Sequence, residues 1–538
     1  MASARRVINI MALAILGFSV AVAGVILAIM FWPSDWTFLG IGGVNVRHVW
    51  TRYDSDEIAD ALAHRNLIIV TRHADIEIRV RKFEQFDVQD NRGSISLFEN
   101  ARGLTFNNIH RSHVSLTQTR IDGVIFYQIY VSAPSGIVTR DARVYINLVG
   151  DEDYATGAPY NIILDTGARR VNWNADAAVE HKFMDSLTIR PSSIGPISFP
   201  APPTAAYPFH ITLDNLTVNS NNARVNIPTP VTGDVLVQSR HGSVTVGAAG
   251  TLSVPASTNI NVSAGSVDGD VYFNSTSGSL RITDVSGGIG GDLDFVTNNA
   301  ALNISNIAGR VDFSVNVASS MTIGTATGLI NGTFVSGGTL NVTNSHSNVD
   351  IESRAANITI GGTGTAQGAR GPIHINNRYG ATMINFARDT IGQPSLTFNG
   401  YDGNITATRI AGLVDITIQS GGRAQIATSF AQVVQGVGSI RFLGSAAPNT
   451  NFGNVTVTLL RQGTTPFTGF NLEVLGTARA RDHTGWPNAQ GSGNTQTGIE
   501  IPNWNAIDGM SWPVSGGDVT RLLRVYTSNN VWLRTAAW

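Results

Sequence analysis

Two stretches of the chain, VTGDVLVQSRHGSVTV at residues 231–246 and VDGDVYFNSTSGSLRI at residues 267–282, align almost position by position. In the first stretch the apolar pair Val235 and Val237 is followed nine residues later by a second pair, and the other stretch keeps this spacing. An i, i+2 pair places both side chains on one face of a β-strand. Turn-favouring Gly, Ser, Thr, Asn and Asp separate the pairs. The two stretches therefore predict short strands that alternate with turns.

The apolar pair recurs at steps of mostly eight to ten residues over much of the chain. Further pairs are Ile260/Val262, Leu293/Phe295, Leu302/Ile304, Val311/Phe313, Met321/Ile323, Leu340/Val342, Val349/Ile351, Ile358/Ile360, Ile373/Ile375 and Val414/Ile416. One such strand cannot bury its apolar face alone, whereas stacked coils share a continuous interior. The pattern predicts a right-handed, parallel β-helix-like solenoid over residues 209–443. Two units in each coil would give about 18 residues per coil and three would give about 27, and the sequence leaves both open.

Small and acidic residues keep fixed places beside the predicted strands. Asp234, Asp270 and Asp292 each come directly before the first inward residue, and we expect them to bond to backbone amides near their turns. The glycines at similar places are expected at corners with positive φ. They are Gly233, Gly242, Gly269, Gly278 and Gly291.

These repeats resemble a known group of bacterial proteins. The alternation of GDV-type and GSV-type strands in the two stretches above, and in IGGDLDFVTNNAALNI at residues 289–304, is similar to the bacterial adhesin-like β-strand repeat family named DUF4097. The resemblance covers residues 210–420. It implies a β-solenoid on a bacterial surface, and the family supplies no catalytic residues to transfer to this chain.

The N-terminal segment predicts a membrane anchor. After Arg5 and Arg6, residues 7–32 are uncharged and mostly apolar, with Asn9 as the one strongly polar side chain. As a helix this run would be about 39 Å long, against about 30 Å of hydrocarbon to cross. The two arginines favour a cytoplasmic N-terminus, and Trp32 and Trp36 suit the headgroup layer. A signal peptide cleaved near Ala23 is the alternative, but the apolar run is too long for its hydrophobic region.

Residues 54–208 predict a mostly β region with one short helix. DSDEIADALAHRN, at residues 54–66, places Ile58, Ala61, Leu62 and Arg65 on one helical face, with Asp54 or Ser55 as the cap. Alternating apolar residues follow from residue 76. Both a β-sandwich and the first coils of the solenoid fit this pattern.

The composition excludes several classes of site. The net charge is −2 at pH 7, which argues against nucleic-acid binding because phosphates require a concentrated positive field. The chain has no Cys, so disulfides, thiolate metal sites and cysteine nucleophiles are excluded. A Gly-Gly-Asp sequence ends at Asp292, but the full GGxGxD calcium motif is absent. We expect no cofactor and no metal.

Catalysis is the weaker expectation. Parallel β-helices can hydrolyse polysaccharides with paired carboxylates, and the candidate groups are residues 151–153 or Asp292 with Asp294. Neither stands out above other exposed acidic residues, so no catalytic residue is assigned. The C-terminal tail contains Trp486, Trp504 and Trp512, which we predict to contact a partner or glycan. The alternative is that this tail covers the exposed last coil.

Together these patterns predict an all-β protein held in a bilayer by one helix. The segments are a cytoplasmic N-terminus (1–6), a transmembrane helix (7–32), a tether (33–53), the mostly β region (54–208), the solenoid (209–443) and a C-terminal cap or binding region (444–538). We expect an extracellular, adhesin-like surface or structural protein without catalysis, whose partners are the lipid bilayer, a cell-surface glycan or protein, or further copies of itself. A tethered polysaccharide-active enzyme and a self-assembling fibre subunit are the alternatives.

Overall fold

The computed structural model describes most of the two β-rich regions and part of the segment before them. The described residues are 15–22, 44–53, 55–72, 74–82, 94–104, 113–132, 139–150, 159–167, 170–175, 182–190, 197–198, 212–283, 288–364, 366–387, 394–410, 412–419, 423–428, 436–442, 454–461, 471–475, 510–513, 521–526 and 531–537. The chain forms two compact units, Met1–Pro230 and Val231–Trp538. Within the described residues, no helix is both long enough and apolar enough to span a membrane.

The first unit contains two helices and twelve strands in its described part. They are α1 (residues 15–22), β1 (Val44–Tyr53), α2 (Asp56–Ala63), β2 (Asn66–Arg72), β3 (Asp75–Lys82), β4 (Ser94–Leu104), β5 (His113–Ile121), β6 (Val124–Ser132), β7 (Thr139–Gly150), β8 (Tyr160–Gly167), β9 (Val171–Ala175), β10 (Lys182–Ile189), β11 (Ile197–Ser198) and β12 (Thr212–Pro230).

Parallel coils already form in this first unit. One stack has the parallel order β6, β2, β8, β10, β12, and the other has the order β7, β3, β9, β11, β12. The long strand β12 takes part in both stacks, through Leu216 opposite Leu187 and Val225 opposite Ile197. Of the two sequence-based interpretations, the coils are observed and the sandwich is wrong.

Antiparallel strands flank these coils on the side of β6 and β7. Strand β5 pairs with β6 through a two-residue turn at Asp122 and Gly123, both with positive φ, and β4 pairs with β7 and β1. Helix α2 begins after Ser55 as expected, although the Ser55 hydroxyl makes no capping bond. Ile58, Ala61 and Leu62 are buried. The placement of Arg65 on the helical face is wrong, because the helix ends at Ala63 and Arg65 has a φ of 64°.

In its described part, the second unit contains strands joined by turns and no helix. They are β13 (Asp234–Ala249), β14 (Thr251–Val267), β15 (Val271–Ile282), β16 (Leu293–Ile307), β17 (Val311–Val315), β18 (Ser319–Ala326), β19 (Ile330–Phe334), β20 (Gly338–Ser345), β21 (Val349–Ser353), β22 (Ala356–Ile360), β23 (Ile373–Asn377), β24 (Ala381–Asn385), β25 (Leu396–Gly400), β26 (Asn404–Ile410), β27 (Val414–Ile418), β28 (Arg423–Thr428), β29 (Gly436–Phe442), β30 (Asn454–Arg461), β31 (Asn471–Leu475), β32 (Met510–Pro513), β33 (Arg521–Tyr526) and β34 (Val531–Ala537).

Two strands make one coil of this unit. From β17 onward, each odd-numbered strand pairs in parallel with the next odd-numbered strand as far as β29, and the even-numbered strands do the same as far as β30. We call these the first-strand stack and the second-strand stack. Leu293, Val311 and Ile330 are successive partners, so the chain advances 18 or 19 residues per coil there. The two-unit coil of about 18 residues is therefore observed, and the three-unit coil is wrong.

The predicted apolar pairs fill the interior. Val235, Val237, Val244 and Val246 are all buried, as are the corresponding residues of the later coils. Successive aromatic residues stack inside: the ring centroids of Phe273 and Phe295 lie 5.2 Å apart, with 12° between the planes. The repeated apolar pairs of residues 231–246 and 267–282 therefore form part of one continuous apolar interior.

The turn between the two strands of a coil contains buried polar side chains. Ser239 donates through Oγ to the carbonyl of His241, and Ser275 does the same to Ser277, both at 2.7 Å. Five coils after Ser275 the same place is taken by Asn377, whose Nδ2 donates to Ala356 O at 2.9 Å. These side chains satisfy turn carbonyls that water cannot reach.

The glycine expectation is confirmed for Gly242 and Gly278, which both have a φ of +115°. It is wrong for Gly233, Gly269 and Gly291, which do not have positive φ. At Gly291 the reason for glycine is close approach, because a Cβ there would collide with the side chain of Asp270 in the preceding coil.

Candidate functional site

A column of eight outward side chains, four of them aspartates, begins on β15 and β16 and continues along the outer face of the first-strand stack. Each member is the register partner of the next, one coil further along. The members are Tyr272, Asp294, Asp312, Asn331, Asp350, His374, Thr397 and Asp415. We call this set the acidic column. Neighbouring strands lie about 4.8 Å apart, so Asp294 and Asp312, the two members that are adjacent carboxylates, interact directly.

The side chain of Asp312 is held in place by its neighbours. Arg310 lies two residues earlier and approaches with one edge of its guanidinium group, Nε at 2.6 Å from Oδ2 and Nη2 at 2.7 Å from Oδ1. Asn331, in the next coil, donates through Nδ2 to Asp312 Oδ1 at 3.1 Å. Such bidentate, charge-assisted contacts fix the orientation of the carboxylate.

The carboxyl group of Asp294 holds its proton more strongly than an ordinary aspartate does. Partial burial raises the pKa of its carboxyl above the ordinary value, and the negative charge of Asp312 raises it further. Asp294, with its raised pKa, lies beside a second carboxyl group in different surroundings, and general acid and base pairs use such neighbouring carboxyl groups. Both lie on the outer face of a sheet, where Asp312 is partly exposed and Arg310 about half exposed.

The other carboxylates of the acidic column also have partners within the chain. His374 Nδ1 lies 3.2 Å from Asp350 Oδ1. Ser439 donates to Asp415 at 2.6 Å. These contacts join one coil to the next, so this column contributes to coil stacking in addition to any role at the surface.

The three turn aspartates bond to the coil that follows them, and two of them, Asp270 and Asp292, accept from backbone amides as expected. Asp234 accepts from the Thr251 hydroxyl at 2.7 Å, Asp270 accepts from the amide of Asp292 at 2.8 Å, and Asp292 accepts from the amide of Arg310 at 2.7 Å. The sequence paired Asp292 with Asp294, but the structure gives them different surroundings. The group beside Asp294 is Asp312, which the sequence analysis did not identify.

The remaining predictions concern metal binding and the C-terminal tryptophans. Across the described ranges, no three His, Cys, Asp or Glu side chains are placed to hold a metal ion. Trp486 and Trp504 lie outside the described residues, as do residues 151–153. Trp512 lies in β32, where it is the antiparallel partner of Leu472. Strands β33 and β34 pair in parallel with β29 and β30, so the tail extends both stacks.

Replacing Asp294 by Asn is expected to reduce the loss of folding stability that occurs as the pH rises. The folded-state pKa of Asp294 is raised above its unfolded value of about 3.9. The folded state therefore binds more protons between the two values, and its stability falls as the pH rises through that window. Melting temperatures of both proteins between pH 3 and pH 7 should show a difference that grows in favour of Asp294→Asn.

The matched control is Asp312→Asn, which removes the contacts to Arg310. It should destabilise the protein at pH 7 by about 0.2–1 kcal/mol, and less at high salt. Equal melting temperatures for wild type and Asp294→Asn at every pH would contradict the assigned surroundings of Asp294.

Comparison of the chain with protein-family models, with curated proteins and with solved structures found no match. The resemblance to the adhesin-like repeat family therefore stays a prediction.

Proposed function

We propose that this protein is anchored in a membrane by one N-terminal helix and holds a right-handed β-solenoid outside the cell as an adhesin-like surface or structural protein without catalysis. The main support for the proposal is that the residues which recur from coil to coil stabilise the fold. The apolar pairs fill the coil interior, and Asp270 and Asp292 bond to the next coil. What varies is the outward surface, as suits a rigid body that presents different contacts along its length.

The described part of the N-terminal segment supports the anchor. Residues 15–22 are helical, and Ile15, Leu16, Phe18 and Val20 are all more than 60% exposed. Contiguous exposed apolar side chains are unfavourable in water and favourable in lipid. Ser19 donates its hydroxyl to the carbonyl of Ile15 at 2.8 Å, which satisfies its only strong donor within the helix. Arg5 and Arg6 precede this helix and favour a cytoplasmic N-terminus.

Tags at the two ends of the full-length chain test the anchor and its orientation. On intact cells, added protease should remove a C-terminal tag, and an N-terminal tag should be protected until the membrane is permeabilised. A protected C-terminal tag would contradict the extracellular placement. A mature protein whose N-terminus begins after Ala23 would instead indicate a cleaved signal peptide.

A second candidate function is a tethered polysaccharide-active enzyme. The specific observation in its favour is the raised pKa of Asp294 beside the Arg310-paired carboxylate of Asp312. We expect no sustained release of reducing ends when the full-length protein is incubated with neutral and acidic polysaccharides. Release that disappears in both Asp294→Asn and Asp312→Asn would establish the enzyme and refute the non-catalytic proposal, and Asp350→Asn provides a control from the same column.

A further inference from the structure

The outer face of the second-strand stack differs chemically from the acidic column. Two adjacent columns of outward positions contain hydroxyl, amide and apolar side chains and no charged one over six coils. One column consists of Asn303, Thr322, Asn341, Thr359, Met383 and Thr406. The other includes Ser320, Thr339, Asn357, Ala381 and Asn404. We call these two columns the neutral face.

Several polar groups on the neutral face are free to bond to another molecule. Thr322 and Asn341 are exposed, Thr359 is half-buried, and none of these three side chains makes a hydrogen bond to another described residue, although their backbones pair in the sheet. In the first-strand stack, by contrast, Asn399 donates to Asn376 of the neighbouring coil at 2.8 Å. The neutral face therefore offers unused donors and acceptors in a regular array, with coils about 4.8 Å apart.

Two exposed tyrosines stand at the edge of the neutral face. Tyr379 lies in the turn before β24 and Tyr401 in the turn before β26, one coil further along. They are 49% and 43% exposed, and their ring centroids lie 5.9 Å apart with 66° between the planes. The amide of Tyr379 donates to Arg354 O at 2.9 Å and that of Tyr401 to Arg378 O at 3.0 Å. Both turns are thus fixed to the preceding coil.

We propose that the neutral face and the pair Tyr379 and Tyr401 form a binding site for a neutral polysaccharide chain. Aromatic rings present an apolar surface on which the carbon–hydrogen face of a sugar ring can stack. Thr322, Asn341 and Thr359 supply hydroxyl and amide groups that match sugar hydroxyls. The two columns contain no charged side chain, and the exposed Arg354 and Arg378 lie only beside the tyrosines, so a neutral ligand binds along the columns without burying an unpaired charge. The inference rests on the proposed non-catalytic surface function, because it gives that function a ligand class.

The chain is tested as the full-length protein in lipid nanodiscs. Its electrophoretic mobility is measured in gels that contain dextran, galactomannan or xyloglucan, with polygalacturonate as an acidic comparator because Arg354 and Arg378 are exposed beside the tyrosines. At least one neutral polymer should retard the wild-type protein, with little effect of salt. Tyr379→Ala/Tyr401→Ala should weaken that retardation at least tenfold, and Thr322→Lys/Thr359→Lys should weaken it as well.

Matched controls come from the outer face of the first-strand stack. Tyr272→Ala and Thr333→Lys make the same chemical changes there and should leave binding unchanged. Retardation by no neutral polymer, retardation by polygalacturonate alone with loss in salt, or equal damage from Tyr272→Ala would each overturn the proposal. Self-association that the Thr322→Lys/Thr359→Lys variant abolishes, without polymer binding, would also overturn it.

The same samples separate this inference from the proposed function. Sustained release of reducing ends from the polymers would refute the non-catalytic function. Absence of both release and retardation would refute the polysaccharide site alone.

Discussion

Gly278→Ala is expected to destabilise the coil that contains it by about 3 kcal/mol. The residue has a φ of +115°, a conformation that L side chains rarely adopt, and an added Cβ would collide with the carbonyl of Ile260 in the preceding coil. Because the colliding atom belongs to the backbone, no side-chain rotation relieves the contact. Hydrogen exchange should show weaker protection of β14, β15 and β16, together with a lower melting temperature.

Gly123→Ala provides the matched control for this effect. Gly123 has a φ of +86° in the β5–β6 turn, and an added Cβ would meet nothing within 4 Å. It should therefore cost only the conformational term of about 1–2 kcal/mol. Equal losses for the two variants would show that close approach between coils does not contribute at Gly278.

The second large effect is expected at the interior contact between Phe313 and Gly332. These residues are register partners in successive coils, and the Phe313 ring occupies the space in which a Cβ of Gly332 would lie. Phe313→Ala should cost about 3–5 kcal/mol, because it leaves a cavity that the rigid coil cannot close. Gly332→Ala should cost about 1–3 kcal/mol by overpacking.

A double-mutant cycle tests whether these two residues pack as a unit. Phe313→Leu shortens the side chain, so Gly332→Ala should be tolerated better in that background than in the wild type. We expect a favourable coupling of about 0.5–3 kcal/mol, measured by denaturant unfolding and by hydrogen exchange of β17 and β19. Strict additivity would contradict the packing described for Phe313.

The solenoid was predictable from sequence because its stability depends on a local rule. Val235 and Val237, nine residues before Val244 and Val246, already specify two inward-facing pairs and the turn between them. The same two stretches also align Ser239 with Ser275. That signal for the buried turn serines was present, but serine is common in exposed turns and did not indicate burial.

Features that depend on which residues become neighbours in adjacent coils were not predictable. Asp312 follows Asp294 by 18 residues, and the two meet only because the coil there has that length. Tyr379 and Tyr401 are 22 residues apart, in coils lengthened by insertions, so a fixed period does not connect them. In the first unit, β2 pairs with β8 after a long excursion, with Leu67 opposite Ile162. Alternation alone could not separate such coils from a sandwich.

Distances between outward positions in the second-strand stack test the coil arrangement most directly. The chain has no Cys, so spin labels can be attached to single introduced cysteines. Asn303→Cys is paired in turn with Thr359→Cys, Met383→Cys, Thr406→Cys and Gln425→Cys, which lie three, four, five and six coils away. The expected separations rise evenly from about 14 to about 29 Å, in steps of about 4.8 Å per coil. Distances that do not rise by this constant step would contradict the two-strand solenoid.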